Sequence, residues 1–242
     1  MRAESGVLNG VLERALLEPE QEEEQHLNPK HDSGEYARND VPFDRKSFAA
    51  MVATMFQGAF SDNLYKLLLM VMLLDVAKAT SASEVAANRL GGEYQFYVNI
   101  AFSLPWILAV GFAGWLSDRF SKARVTRWTK VMEMCVMGIA VWAFAVGGTG
   151  FGIWLGITVM FLMSLQSALY SPSKFGILPE MMPDRKLAWG NGILQGFTFV
   201  AILTGMVSGP MLYGWFKTEH PSSMGMIGLV LVVVAGVGLV FA

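Results

Sequence analysis

Apolar residues run along this chain in six long blocks, at roughly 48–74, 94–116, 126–146, 151–170, 189–215 and 224–242, and each block carries few charges. A helix that crosses a bilayer needs about 20 predominantly apolar residues. Strands of a membrane barrel would be about 10 residues long and would alternate in polarity. These blocks do neither. Backbone groups in lipid must bond within their own segment, so the blocks predict helices. The expectation is an all-α membrane protein with six transmembrane helices over residues 47–242. Residues 1–46 are polar, lack the apolar stretch of a cleaved signal peptide, and include the like-charge run Glu20 to Glu24. They predict a disordered cytoplasmic tail.

Charge sharpens this picture. The chain is 53% hydrophobic and 16% charged, against about 25% charged in a soluble domain. Its net charge of −2 hides a division. Residues 1–46 hold eleven acidic and six basic residues, and residues 47–242 hold nine acidic and twelve basic. With the tail inside, the inner segments carry ten basic residues: Arg45, Lys46, Arg119, Lys122, Arg124, Arg127, Lys130, Lys174, Arg185 and Lys186. The outer loops carry three, Lys78, Arg89 and Lys217. Basic residues favour the cytoplasmic side, which places the N-terminus in the cytoplasm. Gly147–Gly150 is short and uncharged and predicts a tight external turn between the third and fourth helices. The sixth apolar block runs to Ala242 with no basic residue behind it. That suggests one domain of a longer protein, lacking its C-terminal half; a six-helix protein that dimerises is the alternative.

Little points to chemistry on substrates. The single cysteine, Cys135, lies in an apolar block, and no CxxC pair exists. His26, His31 and His220 stand apart in polar segments, so no metal site is expected. Neither a nucleophile–His–acid arrangement nor a phosphate-binding glycine loop is present. The chain does not read as an enzyme, and no cofactor is expected.

Polar residues inside the apolar blocks are the better lead. In the first block Gly58, Asp62 and Lys66 fall at i, i+4 and i+8, with Thr54, Gln57, Ser61, Asn63 and Tyr65 near them. Helical spacing puts the first three on one face. Asp62 would sit near the bilayer centre, where a charge costs about 2.5–3.5 kcal/mol on insertion scales. Asp62 and Lys66 are therefore candidates for a functional site; an ion pair that only neutralises itself or fixes helix packing is the other reading. Asn99 and Ser103 share a face of the second helix, Ser164, Gln166 and Ser167 lie in the fourth, and Asn191, Gln195 and Thr198 share a face of the fifth. Such residues also glue membrane helices together, but stripes on several helices suggest a common polar cavity. Glu133, near the inner end of the third helix, has Arg127 and Lys130 within reach. Lys174 and Ser173 stand at the cytoplasmic interface, where they could touch a lipid phosphate or, for Lys174, snorkel.

Several motifs carry a resemblance. Gly114-Trp-Leu-Ser-Asp118-Arg119-Phe-Ser-Lys122-Ala-Arg124 lies between the second and third blocks. It resembles the loop motif of the major facilitator superfamily, with Ser121 where that family usually has Gly. Gly114 would let backbones approach, and Asp118 would face a helix N-terminus or a basic partner. In the fifth block, Gly196, Gly205, Gly209, Pro210 and Gly214 resemble the Gly-Pro signature of many of its antiporters, with Tyr213 in place of a Gly. The Arg-x-x-Gln of proton antiporters fails: Gln166 has Met163 three residues before it.

Most specific is Ser171-Pro-Ser-Lys174-Phe-Gly-Ile-Leu-Pro179-Glu180 followed by Leu187-Ala-Trp189-Gly190-Asn191-Gly192, together with Phe60-Ser-Asp62-Asn63-Leu-Tyr-Lys66. These look like the lysophospholipid transporter family, over roughly residues 47–242. The resemblance implies the N-terminal six-helix half of a major facilitator fold in a bacterial inner membrane. It implies transport by alternating access, with lysophospholipid as the substrate and Asp62, Lys66, Gln57, Asn63, Asn99, Gln166, Asn191 and Gln195 as candidate binding residues. Gly114, Asp118, Arg119 and Lys122 would gate the cytoplasmic side. The partners expected are a lipid or other small amphiphile, the membrane and the missing half; no nucleic acid is expected. A transporter of another solute, or the membrane domain of a fused phospholipid-remodelling acyltransferase or acyl-carrier-protein synthetase, are the alternatives.

Overall fold

The computed structural model describes residues 42–220 and 223–241, and every regular element among them is a helix. All but the last five residues of the predicted tail lie outside the described residues. Each apolar block coincides with one helix: α1 Arg45–Thr80, α2 Glu84–Arg119, α3 Lys122–Ala145, α4 Gly150–Gly176, α6 Asp184–Glu219 and α7 Gly225–Val240. A four-residue helix, α5 Leu178–Met181, links α4 to α6.

Polar residues set the ends. Asp44 caps α1 by accepting from the amides of Lys46 and Ser47. The Ser47 hydroxyl, which also donates to it, and these amides hold its carboxylate below the usual range. α1 therefore begins at Arg45, just inside the predicted tail. Ser83 caps α2 ahead of Glu84, an acidic residue suited to the positive end of a helix. The predicted tight turn is formed: α3 stops at Ala145, and the Thr149 hydroxyl accepts from the Gly152 amide at 3.0 Å to start α4.

Length and composition make four helices apolar enough to cross a membrane: α2, α3, α4 and α6. The other two fall short for different reasons. α1 has 36 residues but carries Asp62, Lys66, Asp75 and Lys78. α7 is intensely apolar but has 16 residues, roughly 24 Å at 1.5 Å per residue, against a hydrocarbon core of about 30 Å. Large apolar side chains face outward along the bundle, among them Ile107, Val110, Trp142, Val207, Met211 and Val233. A band of that extent on a folded surface needs a membrane or another protein to cover it.

The most extensive packings are α1 with α6, α2 with α4, and α3 with both α7 and α4. The main core gathers Leu64, Tyr65, Leu68 and Leu69 of α1 with Met137 and Ala140 of α3, Met160 and Met163 of α4, and Leu231 of α7. Small residues set the closest approaches. A methyl group on Gly228 of α7 would lie 2.3 Å from the Val141 Cα of α3. On α6, methyls at Gly205 and Gly209 would each lie 2.6 Å from a carbonyl oxygen of α1, those of Phe60 and Leu64. Pro210 follows inside α6, where it cannot donate to the Met206 carbonyl.

Candidate polar cavity inside the helical bundle

Placing polar atoms in an apolar bundle is costly unless they find partners. Here they collect in two adjoining groups on either side of α1. The first surrounds Asp62, which is 8% exposed. The Ser167 hydroxyl of α4 donates to Asp62 Oδ2 at 2.6 Å, and Gln166 Nε2 donates to the Ser167 oxygen at 3.0 Å. Asp62 Oδ1 has no partner among the described residues. Asp62 lines a cavity of about 200 Å³ together with Asn63, Lys130, Gln166, Ser167, Lys174 and, on the apolar side, Phe102 and Trp106. Asp62 and Lys174 line the same cavity without an ion pair between them. The cavity thus presents a carboxylate, an ammonium group, amides and a hydroxyl against aromatic walls.

A second group lies behind it. Lys130 Nζ of α3 donates to Glu133 Oε2 at 2.7 Å and to Gln57 Oε1 at 2.6 Å. Gln57 Nε2 in turn donates to Glu133 Oε1 and to the Ser61 hydroxyl, both at 2.7 Å. Lys130 is 2% exposed and Glu133 0%. Every heavy-atom polar site of the Gln57 amide is used, the condition for tolerating a buried ion pair. α7 closes over this group at Gly238, where an added methyl would fall on Gln57. The sequence offered Lys130 as a partner for Glu133, which the structure shows, but counted Lys130 with the cytoplasmic loops, which it corrects. Opposite charges at i and i+3 within an apolar block were the available signal.

The remaining candidates fall outside the cavity. Lys66 makes no ion pair with Asp62; its ammonium group sits over the Phe102 ring, 4.2 Å from the centroid. Asn99 is exposed on α2 and donates to the Gln95 carbonyl of its own helix. Asn191 and Gln195 are exposed on α6. Of the fifth-block stripe only Thr198 reaches the cavity.

The loop motif is divided in the same way. Lys122 pairs with Glu180 of α5 and lies across Gly176. Ser117 and Ser173 join α2 to α4 beside it at 3.2 Å. Asp118 and Arg119 are exposed at the end of α2. Gly114 has open space where a methyl would stand, so the close approach expected there is not made within the described residues. Gly196 and Gly214 likewise face open space, whereas Gly205 and Gly209 are pressed on α1.

Among the described residues no group of His, Cys, Asp or Glu converges as metal ligands would. Apolar helices with a lipid-compatible exterior, enclosing a polar cavity, define the class: a multi-pass, all-helical membrane protein. Comparison with known proteins narrows it. The chain is 31% identical to the lysophospholipid transporter LplT of Serratia proteamaculans over 176 residues, 73% of this chain and 39% of that protein. It is 29% identical to LplT of an Enterobacter species over 202 residues, 84% of this chain and 44% of that protein. With LplT of Citrobacter koseri it shares 31% identity over 170 residues, covering 70% and 37%. The resemblance drawn from the motifs thus leads to relatives of that name. The chain spans about two fifths of the length of the relatives it matches. No protein-family model matches the chain, and no solved structure does.

Proposed function

We propose that the chain is a six-helix half of a major facilitator transporter that moves lysophospholipid across a bacterial inner membrane by alternating access, with its N-terminus in the cytoplasm. The helix packing supports a three-plus-three inverted repeat of the kind such halves are built from. Exchanging α1 with α4, α2 with α6 and α3 with α7 turns the α1–α6 packing into α4–α2. It turns α3–α4 into α7–α1 and leaves α3–α7 unchanged. Members of each pair are three crossings apart and so run in opposite directions. The departure is α1–α2, whose counterpart α4–α6 is not among the principal packings. Removing Lys130 from the inner loops leaves nine basic residues against three, so the preferred orientation keeps its sign.

The observation that carries the reading is the cavity that holds Asp62 and Lys174 together beside Phe102 and Trp106. A lysophospholipid brings a phosphate, and often an ammonium group, on a single acyl chain. Lys174 takes the phosphate by a charge-assisted bond, Asp62 takes the cationic end through its unpartnered oxygen, and the aromatic wall takes the start of the chain. A second six-helix half closes the site from the other side, which accords with relatives more than twice the matched length. Asp118 and Arg119, exposed beside the anchored Lys122, meet that half and gate the cytoplasmic side.

The test is uptake of labelled lysophospholipid by the intact transporter in proteoliposomes. Asp62→Asn and Lys174→Gln should each weaken uptake roughly tenfold to a hundredfold, the range for losing a hydrogen bond to a charged group. Expression and detergent stability are measured alongside. Wild-type uptake in both folded variants, or transport of unrelated solutes with no response to lysophospholipid, would refute the assignment.

A further inference from the structure

Three charged side chains line the cavity, Asp62, Lys130 and Lys174, yet only two of them present a free charge to it. Lys130 is held from behind. Its ammonium group lies 2.7 Å from Glu133 Oε2 and 2.6 Å from Gln57 Oε1, and both Lys130 and Glu133 are sealed from solvent. Glu133 is not on the cavity wall. The carboxylate therefore cancels a cation that is on the wall, and it does so from a place no substrate reaches. Gln57 fixes the arrangement: it accepts from Lys130 and donates to Glu133, so neither can swing without breaking two bonds. Lys66, the other nearby cation, sits over the Phe102 ring and does not line the cavity.

From this we infer that Glu133 is a selectivity residue: by masking Lys130 it limits the cavity to one effective cation facing one carboxylate, which favours zwitterionic lysolipid headgroups, a phosphate carrying a primary ammonium, over singly anionic ones such as a phosphoglycerol. The inference rests on the headgroup site proposed above. A phosphoglycerol headgroup gives Lys174 its phosphate but leaves Asp62 facing neutral hydroxyls. A phosphoethanolamine headgroup satisfies both. Unmasking Lys130 adds a positive charge at the wall and tilts the balance towards the anion. Both headgroups carry the phosphate, so the ratio responds to the ammonium that only one of them has; a unit charge about 10–12 Å from that ammonium, at an effective dielectric of about 20, shifts relative affinity by roughly tenfold.

The experiment measures binding of two lysolipids with the same acyl chain, one with a phosphoethanolamine and one with a phosphoglycerol headgroup, to the intact transporter in nanodiscs. The readout is the anionic-to-zwitterionic affinity ratio. Glu133→Gln should raise the ratio roughly tenfold and Lys130→Gln should lower it, while the double variant, with both charges gone, returns to the wild-type ratio. The double variant also guards against loss of folding, because it leaves no buried charge unpaired. A pair that only stabilises the bundle would change thermal stability and leave the ratio unmoved in all three, and that result overturns the inference. Failure of the wild-type intact transporter to bind either lysolipid would instead count against the proposed headgroup site.

Discussion

A single methyl group on α6 tests the packing on which the cavity depends. Gly205 and Gly209 lie one turn apart, with the backbone of α1 directly against them. A Cβ at Gly209 would stand 2.6 Å from the Leu64 carbonyl oxygen and 2.9 Å from the Leu68 amide nitrogen. At Gly205 it would stand 2.6 Å from the Phe60 carbonyl oxygen. Ordinary contact begins at 3.4 Å, so α1 and α6 must part by 3.4 less 2.6, or about 0.8 Å. The atoms in the way belong to a helix backbone, which cannot rotate aside. Overpacking of this kind costs about 1–3 kcal/mol. Alanine is also the better helix former, by up to about 1 kcal/mol, and that gain would mask part of the loss. Gly196→Ala isolates it, because a methyl there meets nothing within 4 Å. The gap in apparent Tm between Gly209→Ala and Gly196→Ala therefore reports the overpacking alone, and at about 2–4 °C per kcal/mol for a chain of this size it should be roughly 2–12 °C. The assay is thermal unfolding of the purified chain in detergent, followed by size-exclusion recovery. If the two variants melt together, α1 and α6 are not in backbone contact, and the position of Asp62 relative to α6 is wrong.

Two further outcomes follow from the loop motif and the topology. Asp118→Asn should slow uptake by the intact transporter without lowering its melting temperature, since Asp118 is exposed and the nearby structure is anchored by Lys122 and Glu180 instead; unchanged uptake would remove Asp118 from the gate. On a Cys135→Ser background, a cysteine at Ser83 should react with an impermeant reagent from outside the cell and one at Ser121 should not, and labelling of Ser121 from outside would reverse the proposed orientation.

The helices were legible because lipid leaves the backbone two ways to satisfy itself, helices or a closed barrel, and long apolar blocks without alternation fit only the first. Each apolar block became a helix, and the caps only extended the ends, as Asp44 did for α1 and Ser83 for α2. α5 was not legible. Its four residues carry no periodicity, and its position depends on Lys122 reaching Glu180 across Gly176.

The site was legible only in part, and the division has a physical cause. Spacing along a helix gives direction around its axis but not the identity of the neighbour. Asp62 and Lys66 are four residues apart, and a helix advances about 100° per residue, so they differ by roughly 40° in direction. That offset, on a side chain as long as lysine, carries the ammonium group past the cavity and onto Phe102. Asn99, Asn191 and Gln195 are exposed on their helices, and of the polar residues read beside Asn191 and Gln195 only Thr198 reaches the cavity. Lys130 was hidden by the opposite error. A lysine near a basic loop counts towards orientation when only the sequence is in view, yet the ninth residue of α3 lies two turns inside the bundle, where only Glu133 and Gln57 make its charge tolerable. A positive charge so placed without them would be expelled or neutralised. Its partners therefore had to come from within reach along α3, at i+3, and from α1 across the bundle. The sequence contained the first of these, and only the fold could supply the second.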